Sequence, residues 1–432
     1  RAGLLLTSSM SMMTSRPLLV DHCGQLLTLH GPPRPRRGPE MGRLGIIRNG
    51  AVLIQDGQIQ AVGPRAEVVR RAAAIRARRL DAEGRVVMPG FVDPHTHALF
   101  AGSRVDDYEA RVRGATYAGL ARGGGGIQAS AKRLRAATEA SLGTHLREVL
   151  PRFLEHGTTT VEIKSGYGLE PEPELKMLRV IRDVRRRSPL DLVPTLLIHD
   201  VPARFRATRR SYLLLVMHHL IPLVARGRLA ECFDVFCDRG YWSVKETEAL
   251  LETARRAGLK LKLHAEQLAR TGAARLAARV GALSADHLDQ LGAGDIPRLA
   301  RAGTIATLLP GSVLHLASTP YPPARALIDG GVPVALATNF NPGSSPTTNM
   351  QLILSLACTQ MRMSPAEAVS AATINAAHAV DRGRSLGSLE RGKQADLVIM
   401  DVADYREIPY YFGMNHCLTV VKRGRIVYRR KT

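Results

Sequence analysis

Aromatic residues are scarce in this chain: they make up 4% of its 432 positions and include one tryptophan. That removes the stacking platforms on which nucleic-acid bases are held. The large positive excess, 60 Lys and Arg against 38 Asp and Glu for a net charge of +22, therefore needs another reading. The basic residues are mostly arginines spread along amphipathic segments, which describes solvated helix faces better than a nucleic-acid footprint. Cysteine is nearly as thin. Cys23, Cys232, Cys237, Cys358 and Cys417 are odd in number and widely scattered, so they lack the close pairs of a zinc knuckle and point to a reducing cytoplasm. No run of about 18 apolar residues occurs, so no membrane-spanning helix is expected.

Hydrophobic residues nonetheless make up 45% of the chain, enough for a sizeable core, and the length suits one large barrel with a smaller companion. Residues 1–45 are the exception and read as mostly disordered or loosely ordered, with a possible strand at 17–30. Leu4, Leu5 and Leu6 form too short a run for a secretory signal, and Met10, Met12 or Met13 is a candidate true start. The stretch Pro32-Pro33-Arg34-Pro35-Arg36-Arg37-Gly38-Pro39 reads as an exposed insertion, since consecutive prolines and like charges suit neither strand nor helix.

From residue 86 onward one pattern repeats: a short apolar run, a polar tip, then a longer helical segment. Eight such runs occur, at 86–92, 158–163, 192–198, 233–236, 259–263, 282–285, 305–309 and 332–337. Continuous apolar character is what strands need when both faces are covered. Eight alternations predict a (β/α)₈ barrel over 86–385, with its site at the carboxyl ends of the strands; a doubly wound open sheet is the alternative. Ser243 with Glu246 and Ser364 with Glu367 have the spacing of reciprocal helix caps. The flanks differ. Residues 51–62 hold two strand-like runs around Asp56-Gly57, a hairpin signal, and 395–400 and 418–428 are strand-like with a tight turn at Arg423-Gly424. Residues 46–85 plus 386–432 are thus expected to form one small composite β domain.

The polar tips carry the chemistry. His95 and His97 are two apart, and in an extended strand such side chains point the same way. His199, His264 and His287 end the third, fifth and sixth runs, so a barrel would bring all five imidazoles to one mouth. Five histidines on unrelated loops would not fall at strand ends.

Met88-Pro89-Gly90-Phe91-Val92-Asp93-Pro94-His95-Thr96-His97 resembles the first-strand signature of the amidohydrolase superfamily, and the run from Gly387 to Leu397 resembles its closing signature. Within that superfamily the chain is similar, from about residue 46 to the end, to the imidazolonepropionase family. The carrying segments are Ala101-Gly102-Ser103-Arg104, Gly114-Ala115-Thr116-Tyr117, Gly124-Gly125-Gly126-Ile127, Glu162 to Leu169, Glu174 to Arg179, Asp234-Val235-Phe236-Cys237, Ser284-Ala285-Asp286-His287-Leu288 and Asn341 to Pro346.

The resemblance implies a hydrolase that opens 4-imidazolone-5-propanoate, a small cyclic amide, to N-formimidoyl-L-glutamate in histidine degradation. By the same match one zinc or iron ion would be held by His95, His97, His264 and Asn339, and would activate a water. His287 and Asn339 would serve catalysis, while Arg104, Tyr167, His199, Gln267, Asn341, Gly343 and Ser344 would contact the substrate. A lysine carried for a second metal at the fourth strand's end is absent, and Lys164 lies on the second strand, so one ion is preferred. Gly123 to Gly126 follow no strand and read as a mobile rim loop rather than a phosphate cradle. A homodimer stays open.

Two departures bear on function. The family's eighth strand carries Thr-Asp, where this chain has Thr338-Asn339; an amide can ligate weakly but is no useful base. His287 or Asp200 would then have to take the proton, and His199-Asp200-Val201-Pro202 itself departs from the family pattern. Another cyclic-amide hydrolase or deaminase, or an impaired homologue acting as a binding or scaffold protein, remains an alternative.

Overall fold

A computed structural model of the protein describes residues 16–115 and 125–431. Leu4 to Leu6, the candidate starts Met10, Met12 and Met13, and Thr116, Tyr117, Gly123 and Gly124 lie outside them. Sixteen strands occur among the described residues. The first five are β1 (Leu18–Leu27), β2 (Ile46–Gln55), β3 (Gln58–Pro64), β4 (Arg78–Asp81) and β5 (Val86–Pro89). Next come β6 (Phe91–Asp93), β7 (Thr158–Lys164), β8 (Asp191–Ile198), β9 (Cys232–Cys237), β10 (Lys260–Ala265), β11 (Ser284–His287), β12 (Ile305–Leu308) and β13 (Val334–Leu336). The chain ends with β14 (Leu397–Met400), β15 (Cys417–Lys422) and β16 (Arg425–Arg429).

Strands β6 to β13 pair in sequence order, each parallel to the next, with helices between them. This is the expected eight-stranded barrel, not an open doubly wound sheet. Its closure, between β13 and β6, is made by side chains and loop backbone. Thr338 donates from N and Oγ1 to the buried Asp93 carboxylate at 3.1 and 2.5 Å, Asn339 N donates to the His95 carbonyl at 3.1 Å, and His97 N to that of Phe340 at 2.9 Å. The seam therefore locks the first and last strand tips together, the two tips that carry His95, His97 and Asn339.

The remaining strands form a second sheet in the order β16-β15-β14-β5-β1-β2-β3, with β4 on β1. Both termini contribute, and both expected hairpins are present: β2 turns into β3 through Asp56 and Gly57, each with positive φ, and β15 into β16 through Arg423 and Gly424. The two capping boxes form as well.

Three readings need correction. The run at 86–92 is not one barrel strand: β5 belongs to the small sheet, pairing with β14 and β1, and only β6 enters the barrel. Gly90 makes the switch because a Cβ there would lie 2.3 Å from Thr159 Cγ2. A continuous apolar run cannot reveal that its two halves serve different sheets. The small sheet also begins before residue 46, because the possible strand at 17–30 is present as β1 and lies inside it. Nor is the proline-rich segment an exposed insertion throughout: Pro32, Pro33, Arg34 and Pro39 are exposed, but its middle is anchored. Arg36 is buried; its backbone N–H donates to Asn375 Oδ1 at 2.7 Å, and Asn375 Nδ2 donates back to its carbonyl at 3.0 Å. One buried amide thus supplies the partners that the prolines cannot.

Burial pushes the Asp93 carboxyl up to about 7 against the pull of its Thr338 bonds. Replacing Asp93 by Ala strips two buried donors of their acceptor, a loss of about 2–4 kcal/mol. The expected outcome is a matching fall in unfolding free energy by urea titration; unchanged stability would show that the seam does not depend on this side chain.

Candidate metal centre and active site

The strand tips converge as their spacing predicts. The His95 ring centre lies 4.4 Å from that of His264, 5.3 Å from His97 and 5.5 Å from His287. Ligand-capable atoms of His95, His264 and His287 all lie within 4.8 Å of one another. His97, 5.5 Å from His264 between ring centres, stands at the cavity wall.

Carboxylates flank two of these rings. Asp286 Oδ2 hydrogen-bonds His95 Nδ1 at 2.6 Å, whereas Asp234 Oδ2 lies 2.9 Å from His264 Nδ1 in an electrostatic contact without hydrogen-bond geometry. At His95 the carboxylate holds the proton on Nδ1 and leaves the Nε2 lone pair free. Nε2 of both rings is buried without a hydrogen-bond partner, a costly state that a metal ion at this point would relieve. Burial, reinforced by Lys164 and the neighbouring imidazoles, drives the His95, His97, His264 and His287 pKa values well below the usual 6.5. The rings are therefore neutral, the form that ligates.

Beneath them lies a buried layer of charge. Lys164 Nζ stands 2.7 Å from Asp234 Oδ2 and 2.9 Å from Glu162 Oε2, and Lys262 Nζ is 3.6 Å from Glu162 and 3.7 Å from Asp286. Burial opposes the Lys164 charge, but Asp234, Glu162 and Asp286 outweigh it and keep the ammonium. Burial likewise opposes ionisation of Asp286, and Lys262 and Lys164 outweigh it. Sequence reading gave these five residues no role. A signal existed: Glu162 and Lys164, like Lys262 and His264, are charged or polar residues two apart in strands with both faces covered, which is the barrel interior.

At the eighth tip, Asn339 has a left-handed backbone (φ 52°), as does His287 (φ 79°). Such strain in non-glycine residues persists where surrounding contacts over-determine it. Asn339 Nδ2 donates to Ser312 Oγ at 2.6 Å, while its Oδ1 is buried without a donor.

Above the histidines opens a cavity of about 400 Å³. Every residue expected at the site from sequence lines it except His95, which is fully buried behind. Asn341 Oδ1 accepts from the backbone N–H of Gly343 and of Ser344, both at 2.8 Å, and its Nδ2 donates to the Asn339 carbonyl at 2.6 Å. Gly343 is required by close approach: a Cβ would lie 2.2 Å from Arg104 Nη1. Arg104 is held by Asp107 at 2.6 Å, and Asp107 also accepts from the Gly126 N–H. His199 packs between Phe236 and Tyr241 at 5.0 and 5.9 Å; Tyr167 stands 6.0 Å from His97. Sequence reading also missed Arg111, whose Nη1 donates to the Gly343 carbonyl at 3.0 Å, and Asp289. Burial, then Asp238, raises the Asp289 pKa well above its usual value. Asp200 does not line the cavity; it accepts from Gln128 Nε2 and Val201 N.

Comparison with known proteins agrees with this geometry. Residues 86–427 match the amidohydrolase family, and residues 50–74 the bacterial imidazolonepropionase-like composite domain. Imidazolonepropionases from Solibacter usitatus and Geobacillus kaustophilus are each 48% identical to this chain, over 95% of it and 98% of their own length. The chain belongs to the imidazolonepropionase family of amidohydrolases. It is a hydrolase acting on carbon–nitrogen bonds of a small-molecule substrate. Solved structures share the barrel fold at low identity. A zinc-containing adenosine deaminase from Xanthomonas campestris (20% identical, TM-score 0.69, 95% of this chain and 92% of that one) and the ochratoxinase of A. niger (19%, 0.69, 96% of each) establish the fold alone. No helix among the described residues is long and apolar enough to cross a membrane.

Burial, with Arg104 adding to it, lowers the His199 pKa to about 3. The unfolded chain takes up this proton below about 6.5, whereas the folded chain does not until about 3. His199 therefore costs nothing above 6.5 and progressively erodes stability as pH falls below it. Urea midpoints of His199→Gln and the native chain are expected to shift in the variant's favour between pH 7 and pH 5; a constant difference would contradict the assignment.

Proposed function

We propose that this chain hydrolyses 4-imidazolone-5-propanoate to N-formimidoyl-L-glutamate in histidine degradation, using one zinc or iron ion held by His95, His97, His264 and Asn339. The observation that carries the reading is the group of buried imidazoles His95, His264 and His287, with ligand-capable atoms within 4.8 Å of one another and unpartnered Nε2 atoms on His95 and His264, at the base of a cavity sized for a small cyclic amide. Relatives named for this activity match nearly the whole chain.

Bound there, the ion supplies Lewis-acid polarisation and a water activated near neutral pH. Water adds to the ring carbonyl carbon, the ring carbon–nitrogen bond breaks, and the freed nitrogen takes up a proton. His287, neutral at the cavity floor, holds and delivers that proton. Asn339, whose buried Oδ1 meets no donor, is an amide and cannot act as the base, so the reading assigns the proton to His287. Arg104 grips the propanoate carboxylate, while Tyr167, His199, Gln267 and the Asn341, Gly343 and Ser344 turn hydrogen-bond the ring and fix its orientation.

Incubating the metal-loaded protein with the imidazolone and following product by mass spectrometry tests the reading. Turnover is expected, and Asn339→Asp is expected to raise it by about 10²- to 10⁴-fold by restoring a positioned base. Absence of turnover in both proteins would sink it, whereas turnover in the Asp variant alone would identify the natural chain as an impaired homologue. Gly343→Ala pushes Arg104 from its seat and is expected to raise KM about 10- to 100-fold with a smaller effect on kcat; an unchanged KM would remove Arg104 from carboxylate binding.

A further inference from the structure

The layer of charge under the histidines has a feature that the hydrolytic chemistry does not use. Lys164 Nζ faces three carboxylates at once: Asp234 Oδ2 at 2.7 Å, Glu162 Oε2 at 2.9 Å and Asp286 Oδ2 at 3.6 Å, every one of these side chains fully buried. Lys262, the second lysine of the layer, is drawn toward the backbone carbonyls of Pro94 and Ala379 at 3.0 and 3.3 Å and stands farther from the acids. Apart from these ammonium groups, Glu162 Oε2 and Asp234 Oδ2 accept no hydrogen bond, the 2.9 Å contact of Asp234 with His264 Nδ1 lacking the geometry of one. Ligand-capable atoms of Glu162, Asp286 and His95 lie within 4.8 Å of one another, close enough for one ion to touch all three.

Three carboxylates against two ammonium groups leave one negative charge in excess; without Lys164 the excess would be two, in a space emptied of a lysine side chain. Buried charge of that size is sustained only when it is paired or bound to metal. Carboxylate oxygens select hard divalent ions such as Mg²⁺, Mn²⁺ or Ca²⁺ over soft ones.

We propose that Lys164 fills a latent second cation site, a pocket formed by Glu162, Asp234 and Asp286 directly beneath the histidines, and that its ammonium restricts this chain to a single metal ion. The inference rests on the reading of His95, His97 and His264 as the metal centre. A tethered ammonium cannot dissociate. It leaves Asp286 free to bond His95, and Asp234 to stand beside His264, whatever the supply of metal, where a second ion would draw both carboxylates toward itself.

The test loads chelator-stripped native, Lys164→Ala and Lys164→Met proteins with Zn²⁺ and then excess Mn²⁺, and counts metal per chain by mass spectrometry after desalting. Native protein and the Met variant, whose thioether fills the space without charge, are expected to hold one equivalent. The Ala variant is expected to hold two, with the electron paramagnetic resonance signal of an immobilised Mn²⁺ and a melting temperature that Mn²⁺ raises more than it does for the native chain. An Ala variant that folds with one equivalent, or that Mn²⁺ in excess fails to rescue, overturns the proposal, as does a native chain holding two. A native chain holding none counts against the metal centre itself; an Ala variant that then gains an ion still supports the latent pocket, and one that gains none overturns it.

Discussion

The hydrogen bond between Asp286 and His95 Nδ1, with Asp234 as the charged neighbour of His264, is the interaction on which the site depends. An imidazole ligates with whichever nitrogen lacks the proton, so a carboxylate fixed at Nδ1 decides that Nε2 faces the centre. The carboxylates are in turn held by Lys164 and Lys262, and the lysines by the closed barrel that excludes water from them. Electrostatics that would be weak at a surface are strong in this dry layer. The same low dielectric makes any missing partner expensive.

Above the layer, geometry is set by the seam. Barrel strands β6 and β13 are short, and the bonds that join their tips run through Asp93, Thr338 and the backbone of His95, His97, Asn339 and Phe340. Closure of the fold and placement of the metal-facing residues are thus one set of contacts. The left-handed backbone at Asn339 and His287 belongs to the same economy: each chain segment must turn sharply at its strand end to aim a side chain inward.

Much of this was legible in the sequence, for physical reasons that can be named. His95 and His97 at a spacing of two, and His264 and His287 at the ends of apolar runs, declare convergence once the runs are taken as barrel strands. The Asp56-Gly57 hairpin and the Ser243 and Ser364 caps are local and were readable as such. What stayed hidden was long-range. The transfer of the chain from one sheet to the other at Gly90 depends on a neighbour, Thr159, that is remote in sequence. The burial of Arg36 depends on Asn375, and the charge layer joins residues of four strands whose composition, taken strand by strand, only looks anomalous. Asn339 was legible as a departure, yet its bond to Ser312 was not.

X-ray absorption at the metal edge of the loaded protein, compared with that of His264→Gln, tests the central claim most directly, because it counts the imidazoles around the ion. Three imidazole nitrogens in the native protein and two in the variant are the result this account predicts. A native shell without imidazole scattering, or one unaffected by loss of His264, would contradict it.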